Sequence, residues 1–487
     1  MATPIPRNHA GFTVAEILRE TGGVLAVPGA ERVLAISTDT RAIEPGDGFV
    51  ALRGEVHDGH AHLHAAAARG AVLALVDRDV DAPPMGLCIV RVPDTLVALG
   101  DLARAHRRRW CRPGQRRSVI AITGSAGKTT TRIAVAAALS HVVPGGAAVV
   151  HGSRGNLNNR VGVPMVLLGL EREHVVAVVE MGMNQPGEIA ELCRIAEPDI
   201  GIVTLIAAAH TEGLGSIEAV AYEKGALFRA LSAEGIAIGN ADDPRVRAEI
   251  ARSPARRRYL YGRAADADVR ILSREPVGMH ASRVQVMGHA FTTPLLGEAG
   301  ALACAAAVTV VDHGMDGGRG EGYEGAFAEL TPGDGAGRLV PRLLPGDVAV
   351  IDDTYNANPA STCSSIRAAA EIASVTGRRL LLLLGEMKEL GALSDAGHDE
   401  VGRAAGESGA AEVFAVGAGS SPRIAVRAAE RGVRASHAER VEDATALLRL
   451  AARPGDLVLI KGSRSIGTER VVASLARDLD CGQGSPR

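Results

Sequence analysis

Ser118-Val119-Ile120-Ala121-Ile122-Thr123-Gly124-Ser125-Ala126-Gly127-Lys128-Thr129-Thr130-Thr131 is the stretch on which the reading of this chain turns. Ser118–Thr123 is an apolar, buried-type strand. A glycine loop follows, and an amphipathic helix is predicted from Thr129 to about Val142. The longer Walker loop has a further glycine where Ile122 stands, so this is a shortened Gly-x-x-Gly-Lys-Thr-Thr variant. The physics is that of a phosphate cradle. Gly124 and Gly127 let main-chain N–H groups of Ser125 and Ala126 approach a phosphate, and the helix N-terminus adds its dipole. Lys128 reaches the terminal phosphates, and Thr129 and Thr130 open the helix, with the Thr129 hydroxyl available to Mg²⁺.

The lysine count gives this loop extra weight. Of 53 Lys plus Arg only four are Lys: 128, 224, 388 and 461. Arg is a permanently charged fork, whereas Lys can lose its proton and react. Each surviving Lys therefore raises the question of what Arg could not do. Lys128, Lys224 and Lys461 sit in motif-like surroundings. Lys388 reads as an ordinary surface residue.

Working outward, buried-type strands are expected at Val175–Glu180, Ile200–Ile206 and Gly235–Gly239, alternating with helices. That rhythm predicts a parallel sheet covered on both faces. Strand C-terminal ends are where ligands bind in open α/β sheets, which singles out Glu180 as a possible Mg²⁺ carboxylate and His210 after the next strand. Lys224 lies on the helix beginning near Ser216. Gly155-Asn156-Leu157-Asn158-Asn159 is a polar loop before a helix. An earlier unit, to about residue 112, has short strands at 33–36, 48–52, 72–76 and 87–92, and Arg107-Arg108-Arg109 reads as its solvated helix end. A glycine-rich stretch, Gly314–Gly337, reads as a linker or hinge before a third βα unit with strands at 348–352, 380–384, 413–416 and 457–460. There, Asp352-Asp353-Thr354-Tyr355-Asn356-Ala357-Asn358-Pro359 leaves a strand end with several polar groups, which suggests a ligand face or a capped turn.

Composition excludes several classes. At 487 residues the chain exceeds one core, so two to four domains are expected. Aromatics are 2% and net charge is −3, which argues against a single-strand nucleic-acid groove or a basic field for DNA or membrane. The six Cys are scattered without a Cys-x-x-Cys pair, as in a reducing compartment. No apolar leader or membrane-length stretch occurs, so a cytoplasmic protein is expected. His57-Asp58-Gly59-His60-Ala61-His62-Leu63-His64 resembles a metal tract, but the following alanines favour a helix start with solvent-exposed histidines. No Asn-Lys-x-Asp guanine motif accompanies the loop.

Together these motifs resemble the Mur ligase family over nearly the whole chain. Ser37-Thr38-Asp39-Thr40-Arg41 is similar to the family's uridine-nucleotide-binding segment. Thr123–Thr131, Gly155–Pro164, Glu180–Ile189 and Ala209–Ser216 match central signatures. Asp352–Pro359, Leu384–Gly391 and Lys461–Arg464 match the branch that adds D-alanyl-D-alanine. The resemblance implies an α/β fold with three domains: residues 1–112 binding the UDP-muramoyl substrate, 113–335 binding ATP, and 336–487 Rossmann-like and closing over both. It implies ATP and Mg²⁺ as cofactors. The substrates would be UDP-N-acetylmuramoyl-tripeptide and D-Ala-D-Ala, joined through an acyl phosphate by a monomeric enzyme. Thr129 and Glu180 would hold one Mg²⁺, and His210 a second, helped by a carbamate on Lys224. Asn240 would face adenine, and Arg338 and Asp353 would reach the nucleotide. Asn156, Asn158, Asn159, Tyr355, Asn356, Asn358, Lys461, Ser463 and Arg464 are the remaining substrate candidates. One departure is clear. The family's Gly-x-His-Asn-x-x-Asn reads here Gly297-Glu298-Ala299-Gly300-Ala301-Leu302-Ala303, which predicts weak adenine discrimination. A specialised ligase for another metabolite, or a non-catalytic paralogue, are the alternatives.

Overall fold

Long apolar runs with few polar interruptions build the sheets. The computed structural model describes residues 4–54, 57–112, 114–209, 211–314, 322, 324–330 and 338–481, the last five by their backbone. His210 and most of Gly314–Gly337 lie outside the described residues; Glu324–Ala328 within that stretch is a helix.

A nine-stranded sheet forms the centre. Ser118–Thr123 lies between Val176–Glu180 and Ile200–Val203, parallel to both. Its Val119–Ile122 side chains are wholly buried, as a strand covered on both faces requires. Ile236–Asn240 and Arg257–Gly262 continue the parallel part, and Val269–Val277, Ala281–Val286 and His289–Thr293 finish it as an antiparallel meander. The expected strand Ile200–Ile206 stops at Val203, because Leu205 and Ala207 turn back to hydrogen-bond with Ser125.

The first unit is a five-stranded sheet, Val24–Val27, Cys88–Arg91, Leu73–Val76, Gly48–Val50 and Ile36–Ser37 in spatial order. The expected run at 33–36 is split: Arg32–Val33 pairs with Phe12–Thr13, and only Ile36–Ser37 joins the sheet. Helix Thr95–Trp110 ties this unit to the centre. The two share one hydrophobic core, in which Leu99, Leu102 and Trp110 meet Leu167, Leu192 and Ile195. Arg107-Arg108-Arg109 is not a solvated helix end. Arg107 is buried and donates to the Ala196 and Glu197 carbonyls at 3.0 and 2.6 Å, capping helix Glu188–Ala196. Arg108 grips the Glu197 carboxylate, and Arg109 lies 4.0 Å over the Phe12 ring. His60 also departs from expectation. It is buried between Asp58, at 2.7 Å, and Asp77, at 3.3 Å, while His62 and His64 are exposed.

The third unit is a six-stranded sheet, parallel apart from Val340–Leu344 at one edge. Val348–Asp353, Arg379–Gly385 and Asp456–Lys461 are adjacent across Asp456–Lys461, and their C-terminal ends face the phosphate loop.

Candidate active site

The phosphate loop is set by glycine geometry. Gly124 and Gly127 have φ of +153° and +83°, and a Cβ on Gly124 would overlap the Thr204 hydroxyl. Thr204 Oγ1 donates to the Ala126 carbonyl at 2.6 Å, and Ser125 exchanges hydrogen bonds with Ala207. The loop is thereby laced to the adjacent strand end. Lys128 Nζ rests on the Gly124 carbonyl at 2.7 Å, inside the cradle. Burial pushes its ammonium down, Glu180 pulls it back up, and Arg338 pushes it down again.

Glu180 is the hub beside the loop. It is 3% exposed. Oε2 accepts from Thr129 Oγ1 at 2.8 Å, Oε1 accepts from Asn158 Nδ2 at 2.9 Å, and the Glu180 N–H donates to Ser153 Oγ at 3.0 Å. A hydroxyl and a carboxylate side by side at a phosphate loop are hard oxygen donors, the set that suits Mg²⁺ completed by phosphate oxygens. Asn158 thus serves Glu180. Asn159 instead accepts from Gly162 N–H at 2.8 Å at the start of the next helix, and Asn156 is exposed.

Lys224 is 1% exposed on helix Ile217–Arg229. Burial pushes its amine well below the ordinary lysine range, Lys128 pushes it further, and Glu223 opposes both. Neighbouring packing holds it there. Glu223 accepts from Gly187 and Ile189 N–H at 2.9 Å each, and Gly225 leaves room for the Glu249 carboxylate, which a Cβ would overlap.

The third unit closes this site from above. Asn358 Nδ2 donates to the Ser125 carbonyl of the loop at 3.1 Å. Arg338 lies 3.7 Å over the Tyr355 ring, near enough to Lys128 to depress it. Thr211 Oγ1 donates to Leu390 O at 2.8 Å. Lys461 and Asp353 form a buried ion pair of 2.6 Å; Lys461 also donates to Asn356 O at 2.9 Å, and Ser365 donates to Asp353 at 2.5 Å. Lys461 and Asp353 therefore brace the loop in this conformation. Ser463 is buried and accepts from Lys388 N–H, whereas Arg464 is exposed. Lys388, expected as a plain surface cation, pairs with buried Glu386 at 2.9 Å.

Two positions bear on the expected adenine side. Asn240 is buried, donating to Thr204 O at 3.0 Å and accepting from Asp242 N–H at 2.9 Å, so both ends of its amide are engaged within the protein. At Gly300 a Cβ would stand 2.5 Å from the Leu295 carbonyl, so the backbone here excludes an asparagine as well as lacking one. In the first unit, Ser37, Thr38 and Asp39 line a cavity with Arg7 and with Met165 of the centre. Asp39 accepts from the Arg41 N–H and holds its guanidinium at 2.7 Å, fixing the Thr40–Ala42 turn.

Three family models match the chain in order. They are described as Mur ligase family, catalytic domain, over residues 32–107; Mur ligase middle domain, over 122–311; and Mur ligase, glutamate ligase domain, over 337–464. The chain is 36% identical over 474 residues to the UDP-N-acetylmuramoyl-tripeptide--D-alanyl-D-alanine ligase of Escherichia coli K12, covering 93% of this chain and 96% of that one. It is 31% identical over 481 residues to the ligase of the same name from Bacillus subtilis 168, covering 95% and 98%. Among solved structures, MurF from Acinetobacter baumannii superposes with a TM-score of 0.83 at 28% identity, covering 98% of this chain and 100% of that one. The MurF ligase of Thermotoga maritima, in complex with ADP, gives 0.78 at 25% identity, covering 92% and 98%.

Proposed function

The chain belongs to the Mur ligase family, and from that premise we infer that it is an ATP-dependent, ADP-forming peptide ligase of peptidoglycan precursor synthesis that joins D-alanyl-D-alanine to UDP-N-acetylmuramoyl-tripeptide. The observation that carries this is the end-to-end match to ligases of that name. The fold is the three-domain α/β architecture of the solved MurF structures. A ligase for another metabolite, or a non-catalytic paralogue, is not favoured by relatives that share the full length.

The units divide the work: 1–112 for the uridine nucleotide, 113–335 for ATP, and 336–487 as the closing lid. A carboxylate oxygen of the tripeptide attacks the γ-phosphorus of ATP. The bond to the β–γ bridging oxygen breaks, ADP leaves, and an acyl phosphate remains. The amine of D-Ala-D-Ala then attacks the acyl carbon and gives up a proton, and phosphate departs with the C–O electron pair. Lys128 and the loop N–H groups neutralise charge on the transferring phosphoryl group. Thr129 and Glu180 would hold Mg²⁺, which supplies further charge neutralisation at the same oxygens. Burial pushes the Lys224 amine well below the ordinary lysine range, towards the free amine that addition of CO₂ requires, and the resulting carbamate would join His210 at a second metal position. Asn358 and Arg338 bring the third unit over the loop and exclude water from the acyl phosphate. Arg464, exposed just beyond the strand Asp456–Lys461, is a candidate cation for substrate. No helix among the described residues is long and apolar enough to cross a membrane, and a monomeric cytoplasmic enzyme fits the reading.

The test is ADP release from purified protein with ATP, Mg²⁺ and UDP-muramoyl-tripeptide, with and without D-Ala-D-Ala. Sustained release requires both substrates. Turnover with another amine and none with D-Ala-D-Ala would reject the assignment.

A further inference from the structure

The loop Glu386–Gly391 sorts its main-chain groups by direction. The N–H groups of its first three residues point into its own unit. Glu386 N–H donates to Val416 O at 2.8 Å, Met387 N–H to His398 Nε2 at 3.0 Å, and Lys388 N–H to Ser463 Oγ at 2.9 Å. The carbonyls at its tip face the central unit. Glu389 O accepts from Glu212 N–H at 3.3 Å, and Leu390 O accepts from Thr211 Oγ1 at 2.8 Å. Thr211–Leu214 is a single helical turn, whose first N–H groups have no partner within the turn. Gly391, at φ +52°, passes so close that a Cβ would lie 3.1 Å from Glu212 Cα. Glu389 has φ +65°, a conformation a non-glycine residue keeps only where its surroundings impose it.

His398 supports the loop from beneath, at Met387. It lies on helix Ser394–Glu407 and is 0% exposed. Its Nδ1 is 2.7 Å from the Ser394 carbonyl, which can only accept, so the proton is on Nδ1. Nε2 is then a bare acceptor aimed at the Met387 N–H. Burial pushes the imidazole below its ordinary value, with Glu386 and Asp395 opposing and Lys388 assisting, so the acceptor form is the neutral resting one. No substrate group is needed to explain this buried histidine, and the reaction as derived does not use it.

We propose that His398 is a positioning residue for ligation: its Nδ1–H tautomer shapes the loop Glu386–Gly391 so that the Glu389 and Leu390 carbonyls dock on Thr211 and Glu212, immediately after His210. The proposal rests on the functional reading above for its kinetic arm alone. The docking itself is a statement about two loops.

The test compares His398→Leu, which removes the acceptor at similar volume, with His398→Gln, whose carbonyl can still accept from Met387. ADP release is measured for each, together with hydrogen–deuterium exchange of the segments 211–214 and 386–391. Losing one buried acceptor should lower kcat of His398→Leu about tenfold or more, with KM for the UDP-substrate, bound by the first unit, unchanged. Exchange at 211–214 should rise in His398→Leu, and His398→Gln should recover both readouts in part. In wild type, ¹⁵N-histidine spectra should show a neutral Nδ1–H ring that disappears in both variants. Unchanged exchange at 211–214 in His398→Leu overturns the proposal, as does an Nε2–H or doubly protonated ring at neutral pH. If wild type releases no ADP with these substrates, the functional reading fails, and the exchange and tautomer results decide the docking alone.

Discussion

Asn358 Nδ2 donates to the Ser125 carbonyl across the seam between the third and central units, at 3.1 Å. The same side chain caps helix Pro359–Thr376 through Oδ1, which accepts from Ser361 N–H at 2.9 Å. One amide thus holds a helix and reaches the phosphate loop, and the two functions separate by mutation. Asn358→Asp keeps the cap and loses the donor. Its thermal unfolding should match wild type, while kcat/KM for ATP falls about tenfold, since the carboxylate also faces a carbonyl. Asn358→Ala should lose the same activity and in addition about 1 kcal/mol of stability.

Lys224→Arg should lose most turnover, because a guanidinium stays protonated and cannot add CO₂. Labelled bicarbonate should give a carbamate carbon signal in wild type that is absent from the variant. A small added carboxylate should partly restore Lys224→Ala. Near-normal turnover of Lys224→Arg would leave the residue without the proposed chemistry.

Nucleotide selection should be loose. Ala299 and Ala303 offer no polar group, and the Asn240 amide is spent on Thr204 and Asp242. GTP should therefore support turnover within about a hundredfold of ATP, each missing net hydrogen bond being worth about 1 kcal/mol. Gly300→Asn should not repair this: its Cβ would stand 2.5 Å from Leu295 O, so the expected outcome is a lower Tm.

Lys461→Met should destabilise the third unit by about 3–5 kcal/mol, because Asp353 would be left buried without its cation. The double variant Lys461→Met, Asp353→Leu should recover much of that loss. Urea midpoints of the two proteins check it.

Acid should weaken the fold through His151. Burial holds its imidazole down at about 4, against an ordinary 6.5, and its Nε2 meets Val166 O at 2.8 Å. The unfolded chain takes up this proton first as the pH drops. The stability due to the neutral ring is complete above 6.5 and is lost as pH falls from there towards 4. Between pH 7 and pH 5 the urea midpoint of wild type should therefore fall further than that of His151→Gln.

The sequence was most informative where a local pattern carries the physics. Ser118–Thr123 and Val348–Asp353 are uninterrupted apolar runs, and both are strands with those bounds or one residue more. The glycine loop and Glu180 at a strand end follow from the same local logic, and the structure brings Thr129 and Glu180 together. Arg257–Gly262 begins with two arginines, and Val269–Val277 alternates exposed and buried residues with Arg and Glu among them, so neither resembles a buried strand. What a side chain does over long range is invisible locally. Arg107 looks like one of three surface arginines, Lys461 like a ligand hook, and His398 like any helix histidine. Their partners, Ala196, Asp353 and Met387, lie in other elements.

The shared core between the first and central units has a mechanical consequence. Trp110 and Leu102 pack into the same interior as Leu167 and Leu192, and Arg107 rivets the next helix end, so the first and central units are built as one packed body. Under the proposed function, a uridine nucleotide seated beside Ser37 would be carried at a constant offset from Lys128, like a workpiece clamped to an anvil. Scattering from the open and closed forms should reduce to two rigid bodies, and strain introduced at any point of the first unit should be felt at the phosphate loop without delay or slack.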